Sequence, residues 1–105
     1  MVNEIGEIFQ LFIEEMPNDM NNIKVAFASK NFKDAANYLH KIAPSFYNIG
    51  LPHLTKKVQL IESLIHQTKF AESQLMLNEF ETEFSEYMPA VLEENERLTA
   101  LDNAN

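Results

Sequence analysis

Residues 32–49 place Phe32, Ala35, Ala36, Leu39, Ile42, Ala43, Phe46 and Ile49 in one stripe when the chain is wound at about 100° per residue. Only a helix can bury such a set on one side, because a strand would divide it between two faces. The same spacing recurs along the rest of the chain. It is carried by Ile5, Ile8, Phe9, Phe12 and Ile13 over 3–16, and by Met20, Ile23, Val25, Ala26 and Phe27 over 17–29. Leu54, Val58, Ile61 and Ile65 supply it over 52–67. Phe70, Leu75, Leu77, Phe80, Phe84, Met88, Val91 and Leu92 supply it over 69–97. The chain has two glycines and no Asn-Gly or Asp-Gly pair, so nothing signals a hairpin.

Between the stripes the sequence carries stop and start signals. Pro17 suits the first position of a second helix, and Asn31, after the turn "SKN", suits an N-cap. Gly50 suits a C-cap, Pro52 a helix start and Thr68 the cap of the last helix. Pro89 should kink or divide that helix. The predicted fold is all-α: an antiparallel up-and-down four-helix bundle with an additional short N-terminal helix. One domain over 1–98 is expected, followed by a tail over 99–105 that frays.

The 105 residues contain no cysteine, which excludes disulfides, thiolate metal sites and cysteine nucleophiles. The start "MVNEIGEIFQLFIEEMPN" lacks the basic and apolar regions of a signal peptide, and no run reaches membrane-spanning length. A cytoplasmic monomer without membrane contact is expected. The net charge of −8 argues against nucleic acid as a partner. That charge is unevenly placed. Residues 24–57 hold six lysines against Asp34 alone, and both flanks are acidic. His40 lies in the basic middle, where an anionic group or an acidic surface is favoured; lysines on a solvated helix face satisfy the same pattern.

His40 falls at the border of the apolar stripe, about 100° from Leu39. No G-x-S-x-G surrounds Ser45 or Ser63. His40, His53 and His66 are each thirteen residues apart, without metal-ligand spacing, and no metal site is predicted. The glutamates of the last helix read as a solvated face. A histidine at a stripe border is commonly a plain surface residue. It is also a competent nucleophile when neutral, and Ala36 and Ala43 would leave its ring uncovered. Gly50 would allow the next helix to approach closely.

The segment "LHKIAPSFYNIGLPHL", with Ile61 and Glu62 following, resembles the phosphoacceptor segment of histidine-containing phosphotransfer (HPt) domains. The matching positions are His40, Ile42, Ser45, Ile49, Gly50, Leu54 and Glu62, without insertion. The upstream stretch resembles the family's leader, with a phenylalanine and a proline before the histidine helix. Two positions depart from the pattern: Ala43 stands where the family has Lys, and Pro44 where it has Gly. Lys33 or Lys41 would then replace the missing lysine. Pro44 would either keep the approach to His40 open while kinking the helix, or mark a site that no longer transfers phosphate.

The resemblance implies a phosphorelay intermediate. His40 would accept a phosphoryl group from the phospho-aspartate of a response-regulator receiver domain or hybrid histidine kinase, and pass it on. Glu62 would accept a hydrogen bond from the His40 Nδ1–H, with Gln59 as a second candidate for that role. Lys33, Lys41, Pro44, Ser45, Tyr47 and Gly50 would shape the docking and phosphoryl-binding face. No cofactor is implied in this chain, the Mg²⁺ being expected in the receiver. The alternative is a degenerate HPt-like module that binds a receiver or kinase without transfer. His53 and His66 are expected to be structural or surface residues.

Overall fold

The structure, a computed structural model, describes residues 4–104 and contains four helices. They are α1 (Glu4–Ala28), α2 (Phe32–Asn48), α3 (Pro52–His66) and α4 (Phe70–Ala104). Each connection is three residues long, which forces sequential helices to run antiparallel. α1 packs on α2, α2 on α3 and α3 on α4, and α4 closes the ring against α1. The long dimension of the molecule, 51 Å, is the length of α4 at about 1.5 Å per residue.

The three connections share one geometry. Lys30, Gly50 and Thr68 each have φ between 58° and 87°, just past the end of a helix. At the second connection the Gly50 N–H donates to the Tyr47 carbonyl at 3.1 Å and the Leu51 N–H to the Phe46 carbonyl at 2.8 Å, a Schellman closure. Gly50 is therefore a C-cap, as the sequence suggests. A Cβ placed on it would meet nothing within 4 Å, so close helix approach is not its role. Thr68 ends α3 in the same left-handed conformation and does not cap α4; its hydroxyl donates to the Gln67 carbonyl. Asn31 is the N-cap of α2, its side chain accepting from the Asp34 N–H.

The expected additional N-terminal helix is absent as a separate element, because α1 runs unbroken through Pro17. An interior proline costs about 3 kcal/mol. Against that, Phe9, Phe12 and Met16 before it and Met20 and Ile23 after it are buried in one core. Each contributes about 1.5–3 kcal/mol, so a straight helix that buries both halves prevails. α4 likewise continues through Pro89, with Phe80 and Phe84 before it and Val91 and Leu98 after it on the core. Pro17, Pro44 and Pro89 are all exposed, so each carbonyl deprived of its N–H partner lies on the side that water can reach. α4 also extends past its expected end at residue 97. The helix start expected at residue 3, and Asn105 of the expected tail, lie outside the described residues.

The centre of the core is Phe46 of α2. Its ring meets Phe12 of α1 edge-on at 5.4 Å, and Phe80 and Phe84 of α4 at 5.3 Å and 6.0 Å. Several residues from the predicted stripes face solvent instead, among them Ile5, Ile8, Val25, Leu75 and Leu92.

Candidate functional site

α2 buries the stripe read from its sequence, with only Phe32 at the edge of the core. Burying that side turns Lys33, Asn37, His40, Lys41, Pro44 and Tyr47 outward. Lys33, His40 and Tyr47 are spaced by seven residues and so share an azimuth along the outer face. The His40 side chain is 82% exposed. α2 is a single helix on both sides of it, running through Pro44 to Asn48, and the ring is not enclosed. Thr55 of α3 donates to the Ala43 carbonyl at 2.5 Å, which fastens the first turn of α3 to α2 beside Pro44.

That packing brings Glu62 of α3 under the imidazole. Glu62 Oε2 lies 3.3 Å from His40 Nδ1, and the carboxylate is largely shielded, at 19% exposure. The distance is slightly longer than a tight N–H···O bond, as is common in unliganded sites. A carboxylate facing Nδ1 favours the tautomer with its proton there. Nε2, on the far side of the ring, is then unprotonated and has no hydrogen-bond partner among the described residues. The arrangement presents a nucleophilic nitrogen to solvent.

The other sequence candidates fall in different places. Lys33 has no ion-pair partner within 4 Å among the described residues and remains an exposed cation two turns from His40. Lys41 does have a partner: its Nζ lies 2.9 Å from Oδ1 of Asp19, a carboxylate buried on α1. A buried charge needs such a partner, so Lys41 is tied to the bundle and is not free to replace the missing lysine. Ser45 is half-buried and lines a groove between α1 and α2 with Ile8, Leu11, Phe12, Glu15 and Asp19, away from the outer face. Tyr47 is 68% exposed, and Gln59 is exposed on α3 one turn before Glu62. Phe46 is core, as read from the stripe.

The Asp19 hydrogen bond and charge raise the Lys41 ammonium above its ordinary value of 10.5. A group whose folded pKa is raised contributes stability below the unfolded pKa, and that contribution is lost as the pH rises through the folded value. Thermal melts should therefore show a steeper alkaline fall in stability above about pH 10.5 in wild type than in Lys41→Met.

Sequence reasoning missed His66. It stands one helical turn after Glu62, and its Nε2 is 3.5 Å from the same Oε2 atom that faces His40. The signal was the i, i+4 spacing of Glu62 and His66. Besides Lys41, two of the six lysines of the basic middle are paired. Lys57 pairs with Glu79 and Glu83, and Lys24 with Glu81, across to α4. Among the described residues no group of three His, Asp or Glu side chains is arranged to hold a metal ion, and no helix is long and apolar enough to cross a membrane.

Comparison with known proteins gave one finding. A family model described as "Hpt domain" matches residues 7–104, nearly the whole chain. No curated protein and no solved structure gave a match.

Proposed function

The chain belongs to the Hpt domain family, whose members work with receiver domains and kinases in phosphorelays, and from that membership and the setting of His40 we propose that it carries phosphoryl groups on this imidazole. The observation that carries the reading is the exposed ring with its Nδ1 over Glu62. A receiver domain docks on the outer face of α2, and a Mg²⁺ held by the receiver would neutralise charge on the phosphoryl oxygens. The Nε2 lone pair attacks the phosphorus of the receiver's phospho-aspartate in line. The Nε2–P bond forms, the P–O bond to the aspartate breaks, and the aspartate leaves as a carboxylate. Nδ1 keeps its proton through this step, so the ring gains positive charge as Nε2 gives up its electron pair.

Glu62 serves both stages. Before transfer it holds the proton on Nδ1; during transfer its negative charge stabilises the developing imidazolium. Lys33, unpaired among the described residues and on the His40 face, attracts an acidic receiver surface. Tyr47 offers a contact on the same face. The compact ring of Pro44, one turn after His40, leaves the approach to Nε2 clear. Glu62→Ala should keep the fold and slow transfer roughly 10- to 100-fold, the scale lost when an imidazole's orienting partner is removed. Stopped-flow transfer with a matched melting curve checks this, and an unchanged rate removes Glu62 from the mechanism.

Ala43 and the engagement of Lys41 with Asp19 favour a second reading, a module that docks on a receiver without accepting phosphate. Incubation with a labelled phospho-receiver separates the two. Acid-labile, alkali-stable label on this chain supports transfer, whereas binding without any label supports the docking module.

A further inference from the structure

Glu62 is shared. One carboxylate oxygen lies 3.3 Å from His40 Nδ1 and 3.5 Å from His66 Nε2, so two imidazoles from different helices address the same atom. We propose that His66 is a positioning residue for phosphoryl transfer: by donating its Nε2–H to Glu62 it holds the carboxylate under His40. The proposal rests on the assignment of His40 as the phosphoacceptor and extends it to a residue that touches neither phosphate nor receiver.

Several features support this. A glutamate has three rotatable side-chain bonds, and immobilising it has an entropic cost that a neighbouring donor offsets. Glu62 has no lysine or arginine within 4 Å among the described residues, and the two histidines are its only ion-pair contacts there. His66 is also placed at low cost elsewhere. It is 65% exposed, sits in the last turn of α3 and packs no part of the core, so its contact with Glu62 is the one specific interaction it makes within the described residues. Helical spacing fixes the pair, since residues four apart lie one above the other on a face. The α2–α3 packing then aims that face at His40.

The consequence is a chain of orientation. His66 orients Glu62, Glu62 favours the Nδ1–H tautomer of His40, and that tautomer leaves Nε2 available. Removing His66 frees the carboxylate to rotate into solvent, and the neutral His40 ring then shifts toward the Nε2–H tautomer, whose Nε2 has no free lone pair to attack with.

The test uses the full chain at about pH 8, where unperturbed imidazoles are neutral. ¹⁵N-resolved NMR of the unphosphorylated protein reads the His40 tautomer, and transfer from a labelled phospho-receiver reads the rate. His66→Ala should shift His40 toward the Nε2–H tautomer and slow transfer by roughly 3- to 10-fold, with the melting curve nearly unchanged. His66→Gln, whose amide N–H can reach Glu62, should restore most of both. Wild-type tautomer and rate in His66→Ala overturn the proposal, and so does a His66→Gln protein as impaired as His66→Ala. A wild type that takes up no phosphate defeats the phosphoacceptor assignment instead, while the tautomer measurement still decides whether His66 acts through Glu62.

Discussion

His40→Gln should abolish phosphate uptake from a phospho-receiver while melting at nearly the same temperature as wild type. The side chain is 82% exposed, so its replacement removes little packing, and exposed substitutions typically change stability by about 0.5 kcal/mol or less. The chemical loss is complete, because an amide nitrogen donates its lone pair to the carbonyl and cannot attack phosphorus. Neither remaining histidine is set to replace it. His53 lies against Tyr87, with ring centroids 5.2 Å apart and planes tilted by 60°, and the Nε2 of His66 is turned to Glu62. Label transfer read beside circular dichroism gives both halves of the result. Residual acid-labile label in a folded His40→Gln protein would move the acceptor elsewhere.

Phe46→Ala should have the largest effect on stability. The ring is fully buried, and three phenylalanines from α1 and α4 meet it edge-on. Truncating such a residue costs about 3–5 kcal/mol, since the transfer energy and the cavity both count. A domain of this size holds about 5–15 kcal/mol in total, so a large part of it is removed. The melting temperature should fall by on the order of 15 °C or more. Phe46 is also the anchor that sets the rotation of α2, and hence the outward aim of His40. Urea unfolding monitored by helicity measures the loss; a change under about 1 kcal/mol would show that the core does not turn on this ring.

Much of this arrangement was legible in the sequence. The stripe of α2 specified one buried face, and the opposite face followed without further information. Asn31, Gly50 and Pro52 act locally, and local rules read them correctly. The errors came where tertiary burial outweighs a local rule. Pro17 looks like a helix boundary, yet apolar residues on both sides of it share one core, and that burial exceeds the cost of the ring; Pro89, read as a kink or a division, does not divide α4. Thr68 has the side chain of an N-cap but the backbone of a C-cap, a distinction set by φ alone.

The site was read unevenly for the same reason. A motif singles out His40 and Glu62, which the packing brings within 3.3 Å, whereas Lys41 reads as an alternative to Lys33 for the family lysine because its partner Asp19 lies on another helix. One clue was present: Asp19 falls among Met16, Met20 and Ile23 at helical spacing, which places a carboxylate on a buried face and demands a cation. His66 is far from His40 in sequence, and only the packing of α3 against α2 brings both to Glu62.

The proposed transfer rests on a single nitrogen, and NMR of the phosphorylated chain tests it most directly. With ¹⁵N-labelled histidine, phosphorus should couple to Nε2 of His40, and Nδ1 should remain on the side of Glu62. Phosphorus on Nδ1 of His40, or on any other residue, would contradict it.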